Sequence, residues 1–456
     1  MLERLEAKLS DLRRIGVSND ICDHLADYIA TSPPPRLHLI SPFRLADAWA
    51  LERDAVLDAF LYGTRIGIFD LEWDIKCPSC KGPTQMANSL VELKSASHCE
   101  KCKIDISAGF DDAVEVTFQV TPNIRDTGSI SRGDVMMSWM QIEKVTALSV
   151  RPGQWVEIKL ALEPGFYAMA DPSLNITCPL VVTDEPVDAE RTIEYFYDGQ
   201  SLEKDDKWHG AGPFRIRLLN NGPEKMEFCF GRSVDFPWVS GARVASNQIF
   251  RDYFSSELIS PDEYFAIRNV VFFFTDIKGS TDLYERRGDS KAYYLVREHF
   301  KIMTSMVKRN HGAVVKTIGD AVMATFLVSE DAINTVFEMH RSFEEFNTKE
   351  GALDQIIIKV GLHRGPCIAV TSNEALDYFG RTVNIAARIQ GLSSGDDIMI
   401  SKALYDETGI QALIDSFGWK TTPIQASLKG VESAYDVVHI TNLDPTFKNV
   451  GGRISA

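Results

Sequence analysis

No stretch of this 456-residue chain approaches the roughly eighteen consecutive apolar residues that a membrane-crossing helix needs. No helical membrane span is expected. The opening MLERLEAKLSDLRRIG alternates charge with leucine, so it lacks the uninterrupted apolar core of an export signal. Positive charge is scarce as well: 48 Lys and Arg stand against 64 Asp and Glu, a net charge of −16. That balance repels polyphosphate duplexes unless a local basic patch overrides it, so nucleic acid is not an expected partner. There is no internal repeat and no low-complexity tract, which excludes solenoid and fibrous architectures. Cysteine is sparse and unevenly used. Four of the eight form two CxxC pairs, and Cys22, Cys178, Cys229 and Cys367 are scattered, a usage closer to intracellular metal binding than to a secreted disulfide framework. The reading is a cytoplasmic protein, long enough for two or three domains.

Residues 1–76 read as short helices. Leu2, Leu5, Leu9 and Leu12 recur at helical spacing up to Gly16, Leu45 with Trp49 and Val56 with Phe60 repeat it, and Pro33 to Pro35 break the run. Together with the strand-like IGIFDLEW this fits a winged-helix-type segment, although small helical layers carry many roles. Over 111–240 the period changes to two: Val114, Val116, Phe118 and Val120 alternate with polar neighbours, as do Val156, Ile158, Leu160 and Leu162. The pattern predicts a half-buried antiparallel β-sandwich-like region, with a hairpin at Asn221-Gly222 between Phe214–Leu218 and Met226–Phe230. Residues 241–268 read as a linker or transducing segment, and 441–456 as a tail.

Cys77-Pro-Ser-Cys80 and Cys99-Glu-Lys-Cys102 are separated by eighteen residues. Two tight turns at that distance can set four thiolates around one tetrahedral Zn2+, which would make 77–110 a zinc ribbon with a structural metal. Accidental pairs or redox thiols remain the alternative. From Arg65 to Asp105 six basic residues face six acidic ones. A local sum of zero leaves little counterion release to drive nucleic-acid binding, so a regulatory or protein-contact module is the favoured reading.

The C-terminal third carries the chemistry. Val270-Val271-Phe272-Phe273-Phe274-Thr275 reads as a buried central strand that ends abruptly at Asp276. Gly279-Ser280-Thr281 then suits a turn and a helix N-terminus able to face phosphate oxygens. Asp320, in Gly319-Asp320 between two β-rich runs, falls at a hairpin tip. Tyr293, Val296, Phe300, Met303 and Val307 trace one amphipathic helix and Ala332, Val336, Met339 and Phe343 another. With the strand-like 355–362 this gives an α+β plan, β-α-β-β-α-β, with both aspartates at strand ends. Such carboxylates can hold Mg2+ or Mn2+ through hard oxygen ligands. Singly, each also fits a turn cap.

Four ordered blocks carry a resemblance: Phe274-Thr275-Asp276-Ile277-Lys278-Gly279-Ser280-Thr281, Lys316-Thr317-Ile318-Gly319-Asp320, Gly361-Leu362-His363-Arg364-Gly365-Pro366, and Phe379 through Arg388. Residues 269–440 resemble the class III nucleotidyl cyclases, whose catalytic domain is a ferredoxin-like, palm-type fold. The upstream ribbon and β region resembles the N-terminal part of some bacterial members.

The resemblance implies that Asp276, Ile277 and Asp320 bind two Mg2+ or Mn2+ ions over a triphosphate, and that Lys316 and Asp377 read the adenine edge. It implies further that Asn384 orients the ribose while Arg388 stabilises charge growing on the α-phosphate. Asn384 and Arg388 are four apart, hence on one helix face, and Gly391 follows as a stop. Lys429 is similar to the family's contact to the terminal phosphates. Lys359 stands where an arginine is common, reducing a fork to a point charge, and Arg381 replaces a small or polar residue. The expected enzyme is an adenylate cyclase converting ATP to cyclic AMP and pyrophosphate, acting as a homodimer because the two residue sets belong to opposing faces. A guanylate cyclase, a dinucleotide cyclase of palm type, a degenerate cyclase serving as a binding module, and a zinc-dependent DNA-binding protein are the rivals. What regulatory ligand or protein the first 250 residues would sense stays open.

Overall fold

The computed structural model describes residues 2–78, 83–99, 104–128, 142–171, 176–204, 209–233, 237–350, 355–430 and 434–442. The chain forms two compact units. One comprises Met1–Asp70, Pro78–Gly82 and Thr117–Trp238, the other Leu71–Cys77, Pro83–Val116 and Val239–Ala456. None of the helices described is long and apolar enough to cross a membrane.

The first unit opens with helices α1 (Leu2–Arg14), α2 (Asn19–Thr31), α3 (Pro42–Trp49) and α4 (Arg53–Arg65). Leu5, Leu9 and Leu12 of α1 are buried, the apolar stripe expected of their spacing. Gly16 at φ +102 ends that helix, and the Ser18 hydroxyl caps α2 by accepting from the Ile21 N–H at 3.3 Å.

Strand β1 (Phe69–Lys76) pairs with β2 (Pro83–Ala87), and β3 (Ala96–Cys99) with β4 (Ile104–Ser107), both antiparallel. β5 (Val114–Val120) joins β1 and β2 in one sheet. Cys77 thus follows β1 and Cys99 closes β3, both buried. Cys80 and Cys102, the other two predicted zinc ligands, lie outside the described residues.

The first unit also holds β6 (Ile142–Val150), β7 (Trp155–Leu162), β8 (Gly165–Asp171), β9 (Ile176–Pro186), β10 (Arg191–Tyr197), β11 (Leu202–Lys204), β12 (His209–Asn220) and β13 (Met226–Ser233). They run in the order β11-β10-β12-β9-β8-β13-β6, with β7 on β12. Two expectations are corrected here. The region is not purely antiparallel, because β12 lies parallel to β10 along one stretch and parallel to β9 along another. And Asn221-Gly222 joins no hairpin, since β13 pairs with β6 and β8. Period-two alternation reports that one face is buried; it says nothing of strand direction or partner. Buried Asn220 explains the turn: its amide nitrogen donates to the carbonyls of Val150 (2.9 Å) and Glu224 (2.7 Å), and its oxygen accepts from the Gly222 N–H (2.8 Å).

In the second unit, short helices α5 (Gly241–Ala245) and α6 (Gln248–Tyr253) precede β14 (Phe265–Ile277). This strand begins earlier than the apolar run at Val270, across a bulge between Ile267 and Val270. There follow α7 (Ser280–Arg309), β15 (Ala313–Ile318), β16 (Ala321–Phe326), α8 (Ser329–Glu350), β17 (Ile358–Ser372), β18 (Ala375–Phe379), α9 (Arg381–Gln390), β19 (Asp397–Ser401), α10 (Lys402–Tyr405), α11 (Ile410–Ser416), β20 (Lys420–Ala426) and β21 (Tyr435–Thr441). The sheet order is β15-β16-β14-β17-β19-β21-β20, with β18 on β17. Val271, Phe273 and Ile277 share one core with α7, α8 and α11. Ile385 and Ile389 of α9 pack with Met399, Leu428 and Val437 in a separate core. By strand alternation Phe272, Phe274 and Asp276 face away from α7 and α8.

Candidate active site

Asp276 is the penultimate residue of β14, opposite Lys359 of β17. The β15–β16 hairpin turns at Gly319, φ +66, a left-handed conformation that suits glycine. It brings Asp320 over the end of β14, where its Oδ2 accepts from the Ile277 N–H at 3.3 Å. The Asp320 carboxylate is close enough to that of Asp276 to act on its ionisation. Burial first, and then the charge of Asp320, push the Asp276 carboxyl above the usual carboxylate range, with Lys359 opposing. Two crowded, partly buried carboxylates with one lysine nearby fit a hard divalent cation, whose charge would relieve their repulsion.

Lys316 and Asp377 meet directly: Nζ lies 2.5 Å from Oδ2. β15 and β18 are not neighbours in the sheet. The contact arises because the β17–β18 hairpin folds over the face opposite α7 and α8, setting the Tyr378 ring 5.8 Å from Phe272. Asp377 is buried, and its Oδ1 accepts from the Tyr378 N–H at 2.8 Å.

Helix α9 carries Asn384 and Arg388. Gly361 fixes its seat, because a Cβ there would overlap the backbone of Gln390. Gly391 is the C-cap, as expected, though at φ −62 and so without the left-handed conformation. Asn384 is exposed and Arg388 half-buried. The Arg388 guanidinium packs on Gly430, φ +74, where a Cβ would lie 3.4 Å from Nη2. Exposed Lys429 is the next residue along. Neither Arg388, Asn384 nor Lys429 is tied to a described carboxylate.

The structure therefore gathers the expected residues into three groups: Asp276, Ile277, Asp320 and Lys359; Lys316 with Asp377; and Arg388 with Lys429 and Asn384. Among the described residues no ion pair joins one group to another. Sequence reasoning passed over Gln248 and Arg251 of α6, which touch the strands bearing Lys316 and Asp377. No motif marks them, since 246–262 mixes helical and irregular character.

Residues 263–416 match the family described as adenylate and guanylate cyclase catalytic domain, and residues 2–138 a family of unknown function, DUF5939. An adenylate cyclase of Mycosarcoma maydis is 29% identical over 175 residues, covering 34% of this chain and 7% of that protein. One of Anabaena cylindrica is 25% identical over 187 residues, covering 38% and 37%. The chain thus spans well under half the length of these relatives. The crystal structure of the adenylyl cyclase CyaB from P. aeruginosa aligns at 21% identity and a TM-score of 0.35, over 40% of this chain and 97% of that one.

Proposed function

We propose that this chain, whose residues 263–416 carry an adenylate and guanylate cyclase catalytic domain, is an adenylate cyclase that forms 3′,5′-cyclic AMP from ATP. The observation that carries the choice of ATP is the ion pair of Lys316 and Asp377, 2.5 Å apart. An ammonium donor beside a carboxylate acceptor complements the ring nitrogen and exocyclic amine of adenine. Guanine presents acceptor and donor in the opposite order, which makes GTP the competing substrate.

In this reading the 3′-hydroxyl oxygen attacks the α-phosphorus in line, the bond to the bridging oxygen breaks, pyrophosphate leaves, and the hydroxyl proton passes to solvent water. Two divalent ions held by Asp276, Asp320 and the Ile277 carbonyl would supply phosphate neutralisation and a lowered hydroxyl pKa. Arg388, tied to no carboxylate among the described residues, stabilises charge on the α-phosphate; Asn384, one helical turn away, orients the ribose. Lys429 contacts the terminal phosphates, and Lys359 adds a positive charge beside Asp276.

Since no ion pair among the described residues joins one group to another, the groups are read as halves of sites that a second copy completes. Ile318 and Phe379, both more than half exposed at 55% and 51%, sit two residues beyond Lys316 and Asp377, hence on the same strand faces. Two large apolar side chains beside the base-reading pair suit a homodimer contact. ATP as substrate fits a cytoplasmic enzyme. Purified chain with Mg2+ or Mn2+ should convert ATP to cyclic AMP at a higher kcat/KM than GTP to cyclic GMP; the opposite preference would sink the assignment.

The paired hairpins also support a structural Zn2+ held by Cys77, Cys80, Cys99 and Cys102. Cys77 follows β1 and Cys99 ends β3, so the first cysteine of each pair stands at the end of the leading strand of its hairpin, and Ser97 donates to Thr84 Oγ1 at 2.7 Å between the hairpins. About one zinc per chain, lost in Cys77→Ser and Cys99→Ser, is the expected metal content.

A further inference from the structure

We infer that helix α6 is a clasp that positions the Lys316–Asp377 pair, and that its Gln248 and Arg251 help to set the preference between ATP and GTP. The inference rests on the base-reading role given above to that pair. Lys316 and Asp377 come from strands that do not hydrogen-bond to each other, so something other than the sheet ladder must fix their relative position. Helix α6 touches both.

On the Lys316 side, β15 is the edge strand, whose outward N–H groups lack ladder partners. One of them, Val314 N–H, donates to Gln248 Oε1 at 2.7 Å. Gln248 is itself buried, and its amide nitrogen donates to Asp252 Oδ1 at 2.8 Å, which fixes the amide orientation. The β15–β16 register shifts between Val314 and Lys316. Such a bulge re-aims the side chain that follows it. Gln248 therefore pins the irregular step that directs Lys316.

On the Asp377 side, Arg251 grips the backbone flanking the carboxylate. Its Nη1 donates to the Leu376 carbonyl at 2.9 Å, and the guanidinium carbon lies 5.2 Å from the centre of the Tyr378 ring. Nε is anchored on the Ala245 carbonyl at 2.7 Å. Nη2 is buried with no hydrogen-bond partner among the described residues, an arrangement that costs stability. A third tie, from Thr371 Oγ1 to the Ile259 carbonyl at 2.7 Å, holds the end of β17 to the same segment. Residues 241–262 lie outside both family matches, so the clasp is an addition of this chain's linker to the catalytic domain.

The test measures kcat/KM for ATP and for GTP in the full-length protein carrying Gln248→Leu, Arg251→Met or Arg251→Lys, beside Lys316→Ala and Asp377→Ala. Gln248→Leu and Arg251→Met should each lower the ATP-to-GTP ratio about tenfold, mainly through KM for ATP, which corresponds to ~1.4 kcal/mol. Arg251→Lys, keeping the charge over Tyr378 and one donor, should fall between. A helix that merely packs would lower both substrates alike. Should Arg251→Met not fold, the lysine variant carries the same comparison. Ratios unchanged in the α6 variants but shifted by Asp377→Ala overturn the clasp alone; ratios unchanged in Lys316→Ala and Asp377→Ala as well overturn the base-reading role beneath it.

Discussion

Lys316 and Asp377, sixty-one residues apart in sequence, form an ion pair of 2.5 Å whose two members are unequally buried, 40% and 7% exposed. The carboxylate is already desolvated and oriented by the Tyr378 N–H, whereas the ammonium reaches it from the solvent side. On the proposed base-reading role, a purine edge would enter this pair by displacing the lysine slightly, with the aspartate as the fixed reference.

The asymmetry predicts unequal consequences. Removing Lys316 strands a buried carboxylate, a costly change, while removing Asp377 frees a lysine that water can solvate. Lys316→Met should lower the melting temperature more than Asp377→Asn does. Both should reduce kcat/KM for ATP by about 10- to 100-fold, the scale of losing a hydrogen bond to a charged group. Thermal melts showing Asp377→Asn as the more damaging change would contradict this account.

Asp276 illustrates a site built at the expense of stability. Burial and the neighbouring Asp320 raise its pKa, so the ionised pair weakens the metal-free fold at neutral pH. Asp276→Asn removes one charge at constant shape and should raise the metal-free melting temperature by a few degrees. The same variant should lose at least about 100-fold in turnover. Mg2+ should stabilise the parent protein and leave the variant unmoved, because binding to the folded state alone shifts the equilibrium. A lower metal-free melting temperature for the variant would refute the argument.

If each site is shared between two copies, damage to opposite halves can be complemented. Asp276→Ala and Asn384→Ala should each be nearly inactive alone. In a mixed heterodimer one of the two sites carries both lesions and the other none. Statistical mixing makes half the dimers mixed, each with one intact site, so about a quarter of the parent activity should return. No recovery over a range of mixing ratios would rule out sites shared between chains.

The parts of this arrangement that were legible in the sequence are those fixed by local pattern. An apolar run ending in Asp276 and a Gly-Asp step between β-rich runs place both carboxylates, because strand burial and turn chemistry act over a few residues. Helix α7 was half legible: Val296, Met303 and Val307 of the expected stripe are buried, but Tyr293 is exposed, and the preceding turns are charged and broken at Gly288, φ +71. Tertiary facts were hidden. The fold of β18 across the sheet face, the parallel partners of β12 and the reach of Arg251 to Leu376 depend on residues distant in sequence. Lys316 and Asp377 were found through motif likeness; their contact was not.

His299 offers a pH signature of the catalytic core. It is fully buried, its ring lies 5.4 Å from Phe300 and 5.6 Å from Phe343, and neither ring nitrogen has a hydrogen-bond partner among the described residues. Burial pushes its pKa down from 6.5 to about 4, against a small upward pull from Asp320. Above pH 6.5 both folded and unfolded forms are neutral here and stability is unaffected. Below it the unfolded chain binds the proton first, so stability declines until the folded pKa near 4 is reached and then levels off. The full loss is on the order of 3 kcal/mol for this residue. His340 and His363, likewise lowered to about 4, add to the same slope. Denaturant melts of His299→Leu between pH 7 and pH 4 should therefore show a shallower decline than the parent. An unchanged slope would mean that this imidazole picks up its proton in the folded state as readily as in the unfolded chain.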